Sequence, residues 1–154
     1  MVYELRPAVL PEEGLVQALN DRLAAVEGRS GITTTLEAGN LGVLPPHFEE
    51  GLYGIAREAL NNALKHGDPT VITVRINRDD DIVQMEIIND GADFDVEEGW
   101  RQGGLGLRGM AERAESLGGR FTLTSDSEQG TQIMVEVTVP TMHEDGIEAG
   151  FDDS

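Results

Sequence analysis

The chain has 154 residues, of which 39% are hydrophobic and 26% charged, and its formal net charge is −18. This length predicts a single domain with its own core, and no apolar run approaches the roughly 18 residues that a membrane-spanning helix requires. Cysteine is absent, which excludes disulfides and thiolate sites, and the acidity argues against a nucleic-acid binder, which needs clustered lysine and arginine.

The amino-terminal half predicts two helices separated by a strand. Residues 11–27 open with proline and glutamate and repeat apolar residues at steps of three and four, which is typical of an amphipathic helix. Residues 32–37 are rich in β-branched side chains and predict a strand. Pro45 and Pro46 precede the longest helical pattern, which ends near Gly67. Its apolar positions are Phe48, Leu52, Ile55, Ala56, Ala59, Leu60 and Ala63.

The carboxy-terminal half predicts two hairpins on either side of a helix. The elements are strands over 71–77 and 82–89, a long loop over 90–104, a helix over 105–117 and strands over 121–125 and 131–139. Residues 141–154 hold five acids, no lysine or arginine and no apolar periodicity, so we expect a disordered acidic tail. The fold class is an α/β two-layer sandwich, with about three helices on one face of a mixed, largely antiparallel sheet.

One stripe of the long helix is polar, because Glu58, Asn62, Lys65 and His66 recur at helical spacing beside the apolar face. Taken alone, this stripe is best explained as a solvated helix surface. The alternative is a magnesium site, since magnesium takes oxygen ligands and needs only one or two protein groups when phosphates complete its shell.

Two further segments contain glycine. Residues 89–94 follow a strand directly, and by themselves they are an ordinary turn. Residues 103–110 are glycine-rich and lead into a helix, so their backbone amides could approach a phosphate. A dinucleotide-binding loop is rejected, because no apolar parallel strand precedes this segment, and the lysine of a P-loop is missing.

Taken in order, the three segments resemble the N, G1 and G2 boxes of the GHKL ATPases. The likeness is greatest to the catalytic ATP-binding domain of bacterial sensor histidine kinases, in the subfamily whose partners are NarL-type response regulators. Residues 44–66, residues 104–119 and Gly130-Thr131 carry it. Residues 3–15 resemble the end of the preceding dimerisation and phosphoacceptor domain. The resemblance implies a Bergerat-type fold, with residues 1–14 ending that upstream domain and 15–140 forming the catalytic domain.

The resemblance also implies roles for individual residues. Asn62 would bind a magnesium ion that bridges the ATP phosphates, Glu58 would orient the reacting group or the water of the metal, and Lys65 and His66 would lie near phosphate oxygens. Residues 93–103 would form a short ATP lid. The other implied nucleotide-binding residues are Asn89, Gly91, Gly104, Leu105, Gly106, Leu107, Arg108, Gly109 and Thr131.

Two positions of the G1 box depart from the family pattern. Asn89 stands where the family has its adenine-binding aspartate, and Asp93 stands where it has a glycine. The Asn89 oxygen can accept a hydrogen bond from the adenine amino group, and its NH₂ group can donate to ring N1. Asp93 adds a charged side chain where the backbone should approach the nucleotide, which predicts reduced affinity or a displaced lid.

The resemblance therefore implies a kinase domain that donates the γ-phosphoryl group of Mg-ATP to a histidine on a separate domain. None of His47, His66 and His143 lies in an acceptor-helix context, so we expect the chain to be a monomeric piece of a longer sensor kinase. The N-terminus lacks a signal peptide, and we expect a cytoplasmic location, without membrane contact by this piece. Asn89 and Asp93 favour the alternative, a degenerate GHKL interaction module with weak or no nucleotide binding.

Overall fold

The computed structural model describes residues 14–91, 106–126, 128 and 130–140, which form three α-helices and a five-stranded sheet. The elements are α1 (Leu15–Ser30), β1 (Thr33–Ala38), α2 (Pro46–Asn62), β2 (Val71–Asp79), β3 (Ile82–Asn89), α3 (Leu107–Ser116), β4 (Arg120–Asp126) and β5 (Gly130–Thr138). A π-helical turn, Ala63–Gly67, continues α2. None of the described helices is both long and apolar enough to span a bilayer.

The sheet is mixed, with the strand order β1-β2-β3-β5-β4. Only β1 and β2 among the described strands run parallel, because α2 connects them, and the other neighbours are antiparallel. The register places Thr33 opposite Val71 and Asn89 opposite Thr131. The predicted two-layer sandwich is confirmed. The predicted elements differ from the observed ones mainly at their ends; the strand predicted over 71–77, for example, continues to Asp79.

The core lies between the helices and one face of the sheet. All seven apolar positions predicted for the long helix are buried, and so are the alternate residues Ile133, Val135, Val137 and Val139. The opposite face of the sheet is polar. There Arg75 forms an ion pair with Glu37 at 2.9 Å and approaches Glu86 at 3.5 Å.

Helices α2 and α3 pack closely and run in opposite directions. A Cβ atom placed on Gly51, near the start of α2, would lie 2.8 Å from Leu117 Cδ1, just beyond the end of α3. Glycine at this position therefore allows the two helices to approach each other. At the other end, Glu58 of α2 lies against Gly106, immediately before α3. This packing brings Glu58, the first residue of the polar stripe, to the start of α3.

Candidate functional site

The first part of the site is the contact between Glu58 and Gly106. Gly106 has a φ of +69°, and a Cβ atom there would lie 2.8 Å from Glu58 Cδ and even closer to Oε2. A residue with a side chain would therefore be strained in its backbone and would displace the carboxylate. Glu58 of α2 and Gly106 are separated by almost 50 residues in the sequence and meet at this point.

Asn62 follows Glu58 by one helical turn and is half-buried at the last position of α2. The π-helical turn begins at the next residue and carries Lys65, whose side chain is exposed. The predicted regular stripe is therefore correct for Glu58 and Asn62, whereas Lys65 follows a change in helical hydrogen bonding. Short π-helical turns are frequent at functional sites because they redirect side chains. Sequence periodicity did not reveal this turn.

The second part of the site lies where β3 ends beside the start of β5. Asn89 and Thr131 face each other in register, and each is only 7% exposed. The Asn89 Oδ1 atom accepts a hydrogen bond of 2.8 Å from the backbone N–H of Gly91. A Cβ atom on Gly130 would lie 2.9 Å from Asp90 Cα and closer still to the Asn89 carbonyl oxygen, so glycine permits this close approach.

Asp90 connects the end of β3 to Thr70 and Val71, at the start of β2. Its carboxylate accepts hydrogen bonds from the backbone N–H groups of Thr70 at 2.8 Å and Val71 at 3.0 Å, and from the Thr70 hydroxyl. The Thr70 hydroxyl, followed by the Val71 N–H, lowers the pKa of Asp90 below its ordinary value of 3.8. The sequence indicates only a turn residue at Asp90 and does not reveal these hydrogen bonds.

The start of α3 presents backbone rather than core side chains to any ligand. Leu107 is 1% exposed, so its side chain belongs to the core and only its backbone can face a ligand. Arg108 and Gly109 are exposed, and a Cβ atom on Gly109 would meet nothing within 4 Å. Free N–H groups at a helix N-terminus attract anions. Gly104, Leu105, Asp93 and the predicted lid lie outside the described residues, as does the His66 side chain.

One basic residue follows α2 and another stands near the start of α3. Lys65 and Arg108 are exposed, and neither forms an ion pair with a described residue. Lys65 lies in the π-helical turn after α2, and Arg108 is the second residue of α3, the helix whose start contacts Glu58. By contrast, a hollow of about 600 Å³ on the outer face of the sheet is lined by Glu37, Arg75 and Glu86, whose charges already pair with one another.

Residues 48–142 match the family of histidine kinase-, DNA gyrase B- and HSP90-like ATPases. The sensor protein VraS of Staphylococcus aureus is 31% identical over 145 residues, which cover 94% of this chain and 41% of that protein. The histidine-protein kinase/phosphatase DegS of Bacillus subtilis is 35% identical over 139 residues, covering 86% of this chain and 36% of its own length. An uncharacterized sensor-like histidine kinase of Chloroflexus aurantiacus is 34% identical, with 25% of its length covered. The chain thus spans between a quarter and about two fifths of the length of these curated relatives.

Two solved structures share the fold. The histidine kinase domain of a blue-light activated histidine kinase from Erythrobacter litoralis superposes with a TM-score of 0.70 at 21% identity, over 89% of this chain and 69% of that one. The ATP binding domain of PrrB from Mycobacterium tuberculosis superposes with a TM-score of 0.63 at 21% identity, over 82% of this chain and 95% of that one.

Proposed function

Since this chain belongs to the family of histidine kinase-, DNA gyrase B- and HSP90-like ATPases, we propose that it is the Mg-ATP-binding catalytic domain of a two-component sensor histidine kinase. In this proposal it donates the γ-phosphoryl group of ATP to a histidine on a separate dimerisation and phosphoacceptor domain. The contact between Glu58 and Gly106 carries the proposal, because it joins a carboxylate and amide stripe to a glycine-flanked helix N-terminus.

The side chains of α2 suit a magnesium ion shared with phosphates. Asn62 offers a neutral amide oxygen, which binds a hard cation without repelling phosphate, and Glu58 lies one helical turn away. Magnesium, when bound, would neutralise phosphate charge and hold the phosphates in place. Glu58 would orient the reacting group or a water molecule of the metal shell, and it would do so as a positioned carboxylate fixed against Gly106.

The phosphates themselves would be bound by the start of α3 and by exposed cations. The backbone at Gly106, Leu107 and Gly109 supplies N–H groups, and Lys65 and Arg108 supply positive charge. Phosphoryl transfer depends mainly on such positioning and charge neutralisation, so few protein groups need to react covalently. We propose the same role for Gly104, Leu105 and His66 from the resemblance alone.

The base would lie beside the buried pair formed by Asn89 and Thr131, next to Gly91. We further propose that the partners are the upstream domain of the same protein and a NarL-type response regulator. The likeness to VraS and DegS supports a sensor-kinase context. A cytoplasmic position of this domain belongs to the same proposal.

One observation favours a second candidate function. The buried residue at the proposed base position is an amide rather than a carboxylate. A degenerate domain that binds partners and binds nucleotide weakly or not at all would tolerate this change.

Phosphotransfer to an added acceptor separates the two candidates. The chain would be mixed with Mg-ATP labelled at the γ-phosphate and with the purified dimerisation domain of a relative such as DegS. We expect label on the acceptor histidine and none when Glu58 is changed to Gln. Absence of transfer together with absence of a nucleotide-induced thermal shift would instead support the interaction module.

A further inference from the structure

Asn89 places a side-chain amide in a buried position at the end of β3. It lies on the helix-covered face of the sheet, opposite Thr131, and the residue is only 7% exposed. The orientation of this amide is determined by its neighbour. The Gly91 backbone N–H is a donor and lies 2.8 Å away, so the amide atom facing it must be the oxygen.

The other end of the amide is therefore the NH₂ group, which has two donors. Among the described residues none accepts a hydrogen bond from it. Buried polar groups in proteins are almost always hydrogen-bonded, so an orphaned buried donor indicates an acceptor supplied from elsewhere. An aspartate held by the same Gly91 N–H would instead present a second oxygen, which is an acceptor.

No neighbouring group among the described residues restores that acceptor. The carboxylate of Asp90, the next residue, is occupied by Thr70 and Val71. The Thr131 hydroxyl pairs with the Ser125 hydroxyl at 2.9 Å, and a hydroxyl can donate or accept, so it imposes no preference. Asn89 therefore determines that the site offers a ligand a hydrogen-bond donor rather than an acceptor.

We propose that Asn89 reads a hydrogen-bond acceptor at position 6 of a purine base, so that this site binds 6-oxopurine nucleotides at least as tightly as ATP. The proposal rests on the proposed function, in which the base lies beside Asn89. Adenine has an amino group at position 6, and its donors would meet the donors of the amide; the amide could reach the adenine N1 acceptor only if the base shifted. Hypoxanthine and guanine have an oxygen there, which accepts from the amide without any shift of the base.

The experiment compares inosine triphosphate with ATP, because these nucleotides differ only at the N1–C6 edge of the base. Affinities would be measured by calorimetry with magnesium for the full chain and for Asn89→Asp. Gln84→Glu is the matched control, since it makes the same amide-to-carboxylate change on an exposed position of the same strand.

We expect the unaltered protein to bind inosine triphosphate no more weakly than ATP. Asn89→Asp should shift the affinity ratio toward ATP by at least about tenfold, the cost of mispairing one buried amide, and Gln84→Glu should not shift it. Tighter binding of ATP by the unaltered protein would overturn the proposal even if Asn89→Asp fails to fold, as would a smaller shift in a folded variant. Binding of neither nucleotide would overturn the proposed function as well, whereas preferential binding of ATP would leave it standing.

Discussion

Changing Gly106 to Ala tests whether the contact between α2 and α3 is part of the functional site. Gly106 has a φ of +69°, and alanine in this left-handed region is destabilised by about 1–2 kcal/mol. The new methyl group would also overlap the end of the Glu58 side chain, which is flexible and can move at little cost to stability. We therefore expect a loss of about 1–2 kcal/mol in unfolding free energy, or a melting temperature lower by about 2–8 °C.

Gly118→Ala is the matched control for this change. Gly118 has a φ of +74°, so it carries the same backbone strain, but a Cβ atom there would meet nothing within 4 Å. Both variants should lose similar stability in urea unfolding. Only Gly106→Ala should lower the phosphotransfer rate and the affinity for Mg-ATP, because only it displaces Glu58. Equal activity of the two variants would refute a functional role for the contact, and a much larger destabilisation by Gly106→Ala would show that Glu58 cannot move.

Three other changes give separate tests. Gly109→Ala should leave the unfolding free energy unchanged or raise it by up to about 1 kcal/mol, since the position is helical and open. It should weaken nucleotide binding in calorimetry, because the added methyl group would lie where phosphates approach; unchanged affinity would show that Gly109 does not bind phosphate. Asp90 has a lowered pKa in the folded state, so its stabilisation is present above pH 3.8 and lost as the pH falls through the folded value. Asp90→Asn should therefore lower the unfolding free energy by about 1 kcal/mol at pH 7 and reduce the loss of stability below pH 4, both measured by urea unfolding. An unchanged loss of stability below pH 4 would show that the Asp90 carboxylate does not stabilise the fold. Gly130→Ala should destabilise the protein more than Gly118→Ala does, because its Cβ would overlap the backbone of Asn89 rather than open space, and equal melting temperatures would contradict this packing.

Local patterns predicted most of the architecture. The spacing of apolar residues identified the buried face of α2 because a helix repeats every 3.6 residues, and strict alternation identified the buried face of β5. Gly118-Gly119 correctly predicted the end of α3, where Gly118 donates its N–H to the Glu115 carbonyl. These features depend on neighbours within a few residues, which the sequence displays directly.

The features that the sequence did not reveal depend on distant contacts. The Asp90 carboxylate accepts hydrogen bonds from Thr70, which lies 20 residues earlier. A turn signal such as Asn-Asp-Gly does not indicate that partner. The π-helical turn after Asn62 differs from an α-helix only in its hydrogen bonding, so composition cannot distinguish the two. The orientation of the Asn89 amide likewise required the position of the Gly91 N–H. The sequence alone leaves both the Asn89 oxygen and its NH₂ group available to adenine, whereas in the structure the oxygen accepts from the Gly91 N–H and only the NH₂ group remains.

The candidate site can be proposed from the sequence only through the family resemblance. From periodicity alone, Glu58 and Asn62 are better explained by a solvated helix surface. The contact of Glu58 with Gly106 follows from the antiparallel packing of α2 and α3, which Gly51 permits. Helix packing of this kind joins segments that are far apart in the sequence, and no local pattern encodes it.

Calorimetric titration with ATP, in the presence and absence of magnesium, tests most directly whether Asn62 holds the metal and nucleotide. The variant is Asn62→Ala and its control is Asn61→Ala, the same change one position earlier on the same helix. Alanine favours helix, so both variants should fold. We expect Asn62→Ala to abolish magnesium-dependent binding and Asn61→Ala to retain it; unchanged affinity in Asn62→Ala would contradict the central claim.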